Sequence, residues 1–396
     1  MAVFPLEDLL VVDLSRALAG PYCTLMLADL GARVIKVETP EGGDDTRGWG
    51  PPFLEGEATY FLSVNRNKES LTLNLKDPRG AEILHRLLAR ADVLVENFRP
   101  GTMDRLGFGY AAVHARYPRL VYASISGFGQ DGPYRERTAY DLILQGMGGL
   151  MGITGEEGGP PVKVGVAVAD ICAGMFAAFG ILAALRARER TGRGQWVDAA
   201  MLDGQVAWMT YQAAAYFATG ENPRRLGSAH PSIVPYQAFR TADGYLNLAV
   251  GSEAIWERFC QAIGRPEWRE DPRFRTNADR VAHRAVLVPL LEALFATQPT
   301  AHWRELLDTA GVPNGPIYLM SDLFADPQVA VRQMVVEVEH PRIGRLRQTG
   351  VPVKLSETPG AVRRPPPLLG EHTDRILAEL GYDAEAIATL RRARVV

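Results

Sequence analysis

The feature that most constrains the fold is an alternation of apolar, strand-like runs with helical segments over the first 125 residues. Residues 9–14 (LLVVDL) are almost continuously apolar, residues 22–30 have helical spacing, and Arg33–Glu38 (RVIKVE) again predicts a strand. Further strands are predicted over 70–75, Val93–Glu96 and 120–124, with a helix over 81–90. This alternation predicts an α/β fold with a mostly parallel, doubly wound sheet and ligands at the carboxyl ends of its strands.

Later segments predict a long helix and a second domain. Residues 126–165 are rich in glycine, which indicates mobile or closely approached backbone, and a helix is predicted from Asp170 to about Arg188, with more helix over 201–217. A second domain is predicted after Asn222-Pro223. It opens with a hairpin over 235–250, in which Asp243-Gly244 is expected to supply positive φ angles, and continues with helices over 254–263, 281–296 and 303–310.

Composition excludes several classes of protein. A net charge of -3 over 396 residues leaves no basic excess for a nucleic acid or an anionic membrane, so neither is an expected partner. Residues 1–7 lack the pattern of a signal peptide, and a cytoplasmic location is expected. Cys23, Cys172 and Cys260 are too few and too scattered for a disulfide framework, and the seven histidines lack metal-site spacing, so no metal is predicted.

The loop over residues 15–21 (SRALAGP) follows the first strand and opens a helix, where free backbone N–H groups favour phosphate. With Glu38 at the end of the second strand, it raises the hypothesis of an NAD-dependent oxidoreductase. The G-x-G-x-x-G pattern is absent because Gly20 has no glycine partner at the required spacing. A plain strand-to-helix turn remains the alternative for this loop.

Asp170 admits two interpretations from the residues alone. It precedes an apolar helical run, and aspartate is among the best N-cap residues, so a purely structural cap explains it. A carboxylate at a helix N-terminus also stays ionised among free amides that could steady an oxyanion, which suits a nucleophile. The two interpretations are compatible.

A set of motifs occurs in order along nearly the whole chain. They are residues 18–21 (LAGP), 30–38 (LGARVIKVE), 45–49 (DTRGW), 65–68 (NRNK), 95–101 (VENFRPG), 126–133 (SGFGQDGP), Asp170, 191–195 (TGRGQ) and 368–373 (LLGEHT). Each motif is weak singly, but in this order they are highly specific. Together they resemble the class III coenzyme A transferases, the family of formyl-CoA:oxalate and carnitine CoA-transferases that also contains α-methylacyl-CoA racemase.

The resemblance implies a site and an architecture. The family's nucleophile is an aspartate at the start of the helix that leads to T-G-R-G-Q, and Asp170 stands in that place. Thr39 departs from relatives that carry an adenine-stacking arginine. No tightly bound cofactor is implied; CoA is a substrate, and its implied contacts are Leu18, Ala19, Leu73, Lys76, Asn97, Phe98, Arg99, Arg105 and Tyr140.

The family's architecture implies an interlocked homodimer. Each chain would have a large Rossmann-like, CoA-binding domain over residues 1–205, completed by about 345–396. A smaller α+β substrate domain would span 225–330, with helical linkers between the two domains. The partners expected from this resemblance are acyl-CoA, small carboxylic acids and a second copy of the chain.

Within the family, the residues favour a transferase over a racemase. The racemase branch carries a histidine in a G-H-D motif as a second proton-transfer group, whereas this chain has Ala139-Tyr140-Asp141 there. Tyrosine, with an ordinary pKa near 10, is a poor base near neutrality. A racemase and a non-catalytic acyl-CoA-binding relative remain the alternatives.

The resemblance implies covalent transfer through an aspartyl anhydride and an aspartyl-CoA thioester on Asp170. Amide donors of the glycine-rich segment are expected to stabilise the oxyanions, and closure of that segment to exclude water. Gly227, Ser228 and His230 occupy the position of a substrate-facing loop in relatives, and His230 could meet a second carboxylate of the acid. A packed or capping histidine is the alternative.

Overall fold

The computed structural model describes residues 3–396, which form two compact units. The first unit runs to Leu150 and continues with Lys163–Ala214 and Pro327–Val396; the second consists of Met151–Val162 and Ala215–Asp326. The segment Met151–Val162 lies inside the range predicted for the large domain, yet it groups with the second unit.

The strands are short. In chain order they are β1 (Leu10–Asp13), β2 (Arg33–Glu38), β3 (Phe53–Leu54), β4 (Glu57–Ala58), β5 (Lys68–Thr72), β6 (Val93–Glu96), β7 (Val121–Ser126), β8 (Trp196–Ala200), β9 (Tyr236–Arg240), β10 (Tyr245–Ala249), β11 (Asn314–Pro316), β12 (Val335–His340) and β13 (Gly344–Thr349).

The α-helices range from single turns to one of 24 residues. They are α1 (Ala19–Asp29), α2 (Thr59–Val64), α3 (Pro78–Leu88), α4 (Thr102–Arg105), α5 (Tyr110–Arg116), α6 (Asp141–Met147), α7 (Leu150–Ile153), α8 (Val168–Thr191), α9 (Met201–Trp208), α10 (Thr210–Thr219), α11 (Glu253–Ala262), α12 (Asn277–Ala282), α13 (Arg284–Phe295), α14 (Thr300–Thr309), α15 (Met320–Ala325), α16 (Pro327–Val331), α17 (Thr373–Glu379) and α18 (Ala384–Arg392).

The first unit is built on a six-stranded sheet in the order β5-β2-β1-β6-β7-β8. All its pairs are parallel, with Val12 of β1 opposite Ile35 on one side and Leu94 on the other. Counted along the chain, these strands stand in the order third, second, first, fourth, fifth, sixth, which is the doubly wound order of Rossmann folds. The predicted α/β fold with a central parallel sheet is confirmed.

Helices cover both faces of this sheet, as the apolar strands require. Alternate residues along β1 face opposite sides of the sheet. Val12, and Leu14 just after the strand, pack with α3, α17 and α18, while Val11 packs with α1 and α8. The carboxyl-terminal segment therefore belongs to the core of this unit. It is also bonded to the edge strand β5, where the Thr72 N–H donates to Thr373 Oγ1 at 3.1 Å.

The sheet differs from the sequence prediction at its edges. The strand predicted over 70–75 is Lys68–Thr72, two residues earlier, and β8 was missed because only helix was predicted between the 191–194 turn and residue 217. β8 pairs with β7 along its whole length, although Trp196 and Asp198 are exposed and interrupt its apolar pattern. The glycine-rich segment also contains two helices, α6 and α7, that were not predicted.

The second unit has a three-stranded antiparallel sheet, β11-β10-β9, whose strands β9 and β10 form the predicted hairpin. Asp243 and Gly244 do not adopt positive φ, contrary to the prediction. Four residues separate the paired ends Arg240 and Tyr245, and loops of this length are commonly built around a type I turn. The Thr241 N–H donates to the Gly244 carbonyl at 2.9 Å and closes the turn.

Helix α8 is longer than predicted, because it begins at Val168 and ends at Thr191. It is the one helix among residues 3–396 whose length and apolar composition would allow it to cross a membrane, and half of its most apolar stretch is buried inside the protein. The core helix of a soluble protein passes the same criterion, so the length and composition of α8 do not distinguish the two cases.

Candidate active site

The sheet order reverses between β1 and β6, and this switch point is where doubly wound sheets bind ligands. The chain leaves β1 through the loop over residues 15–18 and leaves β6 through Asn97. The Asn97 side chain ties the two exits together: its Oδ1 accepts from the Arg16 N–H at 2.8 Å and its Nδ2 donates to the Arg16 carbonyl at 2.7 Å. Asn97 therefore holds the β1 loop in place.

A buried network of ion pairs also anchors the segment that follows β1. Lys36 Nζ donates to the Ser15 carbonyl at 2.7 Å and Lys68 Nζ to the Pro21 carbonyl at 2.9 Å. One lysine therefore holds the start of the loop, and the other holds the first turn of α1, which follows the loop. Lys68 lies 3.2 Å from Asp13, and Lys36 lies 2.8 Å from Asp44. All four side chains are fully buried, and we define them as the β1 charge network.

Asp170 is the third residue of α8, so the N-cap interpretation is wrong. The helix begins at Val168, and its N-cap residue, Ala167, makes no side-chain capping bond. Asp170 instead accepts a backbone hydrogen bond from Ala19, at the start of α1. Gly174, one turn further along α8, permits this approach, because a Cβ there would stand 2.6 Å from the Ala19 carbonyl oxygen.

The carboxylate that caps α8 is Asp141, from helix α6. Asp141 Oδ1 accepts from the Ala169 N–H at 2.9 Å, and its Oδ2 accepts from Gln145 Nε2 at 2.7 Å. Gln145 is fully buried and also accepts from the Val164 N–H at 2.8 Å. The turn before α8 is thus held by Asp141 and Gln145, neither of which was predicted to have this role.

Two effects give Asp170 an unusual acidity. Burial raises its pKa, the negative charge of Asp141 raises it further, and the hydrogen bond from Ala19 only partly opposes them, so that the pKa is about 7. A carboxylate with this pKa is more basic than an ordinary aspartate and is still substantially ionised at neutral pH. Such a group can act as a nucleophile.

A cavity of about 260 Å³ opens beside Asp170. Six residues predicted from the sequence meet there: Ala19, Asn97, Phe98, Arg99, Tyr140 and Asp170. Arg16 and Arg137 also line it and were not singled out. Arginine is common on surfaces, so only the folded structure distinguishes these two.

A second cavity, of about 460 Å³, extends along the carboxyl ends of β1, β2 and β5. Its walls include the predicted residues Leu73, Lys76, Phe98 and Arg105, and it shares Phe98 and Arg16 with the Asp170 cavity. Thr39 also lines it. The two cavities therefore adjoin, which suits a long ligand with its reactive end near Asp170. Leu18, the N-cap residue of α1, lines neither cavity.

Glu38 lies in the wall of the larger cavity but has partners of its own. Arg47 donates to both of its oxygens, at 2.7 and 2.8 Å, and Ser70 Oγ donates at 2.6 Å. In a nicotinamide enzyme, an acidic residue at this position binds a ribose hydroxyl of the cofactor. Here the Glu38 carboxylate is bound by Arg47 and Ser70 instead, which counts against the nicotinamide hypothesis. Among residues 3–396 there is no cluster of three or more metal-binding side chains.

The remaining predicted residues, Gly227, Ser228 and His230, lie in the second unit. Ser228 Oγ accepts from the Ala238 N–H at 3.0 Å and lines a cavity within that unit. His230 Nδ1 accepts from the Ser232 N–H at 3.1 Å, and both burial and Arg284 lower its pKa. Contact of these three residues with the acid remains a prediction.

The model of CoA-transferase family III matches residues 6–373 of the chain. The chain belongs to the class III CoA-transferase family. The predicted resemblance is therefore confirmed, and the chain is an enzyme whose reaction class is CoA transfer, with acyl-CoA as substrate.

Its relatives in the family bear specific names. The chain is 47% identical to the mouse succinyl-CoA:glutarate CoA-transferase over 99% of its length and 90% of the relative. It is 45% identical to the succinate–glutarate CoA-transferase of Agrobacterium fabrum, over 95% of its length and 96% of the relative. It is 44% identical to the acetyl-CoA:oxalate CoA-transferase of Acetobacter aceti, over 90% of its length and 92% of the relative.

Solved structures agree with the fold. A CaiB/BaiF family protein from Brucella suis superposes with a TM-score of 0.84 at 43% identity, covering 95% of this chain and 99% of that one. A hypothetical protein from Mycobacterium tuberculosis superposes with a TM-score of 0.85 at 32% identity, covering 95% of this chain and 100% of that one.

Proposed function

We propose that this enzyme transfers CoA from succinyl-CoA, or a similar short acyl-CoA, to a dicarboxylic acid through covalent intermediates on Asp170. The observation that carries the proposal is a half-buried carboxylate with a pKa of about 7, at the cavity where the predicted CoA-binding segments converge. The names of the relatives support the choice of acids, since two of those described act between succinate and glutarate.

The proposed chemistry has two symmetric halves. Ionised Asp170 attacks the thioester carbon, the C–S bond breaks, and CoA leaves as the thiolate. The thiolate attacks the aspartyl carbonyl of the resulting anhydride, which releases the donor acid and leaves an aspartyl-CoA thioester. The acceptor carboxylate then attacks this thioester and expels the thiolate, which attacks the acceptor's acyl carbon and restores Asp170. No net proton is taken up or lost.

The surrounding residues have distinct proposed roles. The hydrogen bond from Ala19 would orient the Asp170 carboxylate, and Asp141 would fix the first turn of α8. Lys76 and Arg105 line the larger cavity, where their charges suit the phosphates of CoA. Each tetrahedral intermediate carries an oxyanion, for which backbone amides near Asp170 are the proposed donors.

The decisive test is a transfer assay with purified protein. Incubation with succinyl-CoA and glutarate should yield glutaryl-CoA and free succinate in equal amounts, measured by liquid chromatography and mass spectrometry. A reaction without acceptor acid controls for hydrolysis. Tight CoA binding without exchange over a broad panel of acids would contradict the proposal.

We also propose that two copies form the interlocked homodimer implied by the family. Helix α8 is apolar around its circumference, and helices of this kind are ordinarily buried on all sides. Within one chain, however, Met175 and Phe179 remain 50% and 71% exposed. A second copy is the proposed cover for this face. Light scattering over several decades of dilution should give twice the chain mass throughout, and a folded monomer at low concentration would contradict interlocking.

A further inference from the structure

The charged side chains around the Asp170 cavity differ in how they are partnered. Two of its three arginines have polar partners: Arg16 Nη1 lies 3.6 Å from Asp45 Oδ2, and Arg99 Nη2 donates to Thr138 Oγ1 at 3.3 Å. The third, Arg137, has neither an ion pair nor a side-chain hydrogen bond in the part of the chain that the structure describes. Its guanidinium N–H donors are therefore not engaged by other described residues.

Two aromatic rings support the Arg137 guanidinium. Its central carbon lies 4.7 Å from the ring centre of Tyr134 and 5.5 Å from that of Phe128, and those rings meet edge to face at 5.5 Å. The Arg137 N–H also donates to the Tyr134 carbonyl at 2.9 Å, which folds the backbone into a turn. Contact with aromatic faces leaves the in-plane N–H donors of a guanidinium available to an anion.

The cavity is large enough for a short acid. Its volume of about 260 Å³ is below the roughly 300–1,000 Å³ of pockets that hold drug-sized ligands. Because Asp170 and Arg137 both line this cavity, we expect the second carboxylate of an acid that reacts at Asp170 to lie in the same cavity. An arginine receives a carboxylate through two parallel hydrogen bonds, so the match is geometric as well as electrostatic.

We infer that Arg137 binds the second, non-reacting carboxylate of a dicarboxylic acid and thereby sets the preference for diacids over monoacids. This inference rests on the proposed function, which names dicarboxylic acids as the acceptor class. A monoacid of the same length would leave the guanidinium unpaired in the cavity. A diacid can form a charge-assisted, bidentate contact with this guanidinium that a monoacid of the same length cannot form.

The test compares glutarate with pentanoate, which has the same number of carbons and one carboxylate, in wild type and Arg137→Gln. The variant should lose about 5- to 10-fold in kcat/KM for glutarate, the scale of an exposed bidentate ion pair. Its kcat/KM for pentanoate should stay within about twofold of wild type. Its KM for succinyl-CoA should rise, because the succinyl group carries a second carboxylate of the same kind. Arg137 is exposed, so folding should be preserved, as thermal melting will verify.

Arg135→Gln is the matched control. Arg135 lies on the same loop, is exposed and lines a different cavity, where it pairs with Glu136 at 3.3 Å. It should retain the wild-type preference for glutarate. Equal losses on both acids in Arg137→Gln would overturn the inference, as would a raised KM for succinyl-CoA with an unchanged acid preference.

Failure of the proposed function would look different, because wild type itself would transfer no CoA to either acid. Calorimetric titration of glutarate into the CoA-saturated protein then decides the inference independently. Weaker glutarate binding by Arg137→Gln than by wild type and Arg135→Gln supports it, and equal binding by all three overturns it.

Discussion

Replacing Asp170 with asparagine should abolish CoA transfer, with a loss of at least about 10⁴-fold in kcat, because an amide cannot form the anhydride. CoA binding should persist, since Lys76 and Arg105 lie on other segments. The Asn variant should also be more stable than wild type by about 1 to 2 kcal/mol at pH 8, because it removes a half-buried charge that Asp141 repels. Chemical denaturation and the transfer assay measure the two effects.

The pH dependence follows from the same pKa. Protonated Asp170 cannot attack, so kcat/KM should rise with pH through about 7. The stability effect has the opposite sign, because an unfolded aspartate ionises near 3.8 and the folded one near 7. Relative to Asp170→Asn, wild type should therefore lose stability as pH rises from about 4 to 7 and change little above that.

Covalent trapping gives a direct check. Wild type incubated with succinyl-CoA and quenched with hydroxylamine should carry its label on the peptide that contains Asp170. A label found only on Asp141, the neighbouring carboxylate, would overturn the assignment. An active Asp170→Asn enzyme that has not deamidated would do the same.

The predictable part of the fold is the part that local pattern determines. Val93–Glu96 is a short, fully buried strand, and its apolar run predicted it to the residue. β8 was missed because exposed Trp196 and Asp198 break such a run, and it forms by pairing with β7. The start of α8 could not be predicted either. Its first turn is capped by Asp141, which accepts a hydrogen bond from the Ala169 N–H and lies 28 residues earlier in the chain.

The candidate site also has a part that the sequence predicted and a part that only the folded structure shows. Asp170 was predicted as the nucleophile through the family's motifs, whereas its raised pKa depends on burial and on Asp141, and both effects exist only after folding. Arg137 gave no signal in the sequence, since an arginine in a polar loop is ordinarily a solvated charge. The β1 charge network was missed for the same reason, because lysines and aspartates are also expected at the surface, whereas these four side chains are fully buried.

Two opposing effects act on the side chains of the β1 charge network: burial disfavours their charged forms, and attraction between the lysines and aspartates favours them. Burial lowers the pKa of Lys68 to about 8, although Asp13 acts to raise it. Burial by itself would raise the pKa of Asp13, but Lys68 and Lys36 together hold it below the ordinary value. Asp13 also accepts from the Ser15 N–H at 2.9 Å and from Thr24 Oγ1 at 2.6 Å, so its carboxylate joins the lysines to the β1 loop.

Asp13→Asn should therefore destabilise the protein by about 3 to 5 kcal/mol, the cost of leaving a buried charge without its partner. The matched control is Asp374→Asn, which removes an aspartate paired with Arg391 at 2.6 Å but 64% exposed; it should change stability by less than about 1 kcal/mol. Urea denaturation at one fixed protein concentration measures both. Because the network holds the loop that presents Ala19 to Asp170, Asp13→Asn should also lower kcat at temperatures where it remains folded. Equal stability losses in the two variants would show that the network does not anchor this loop.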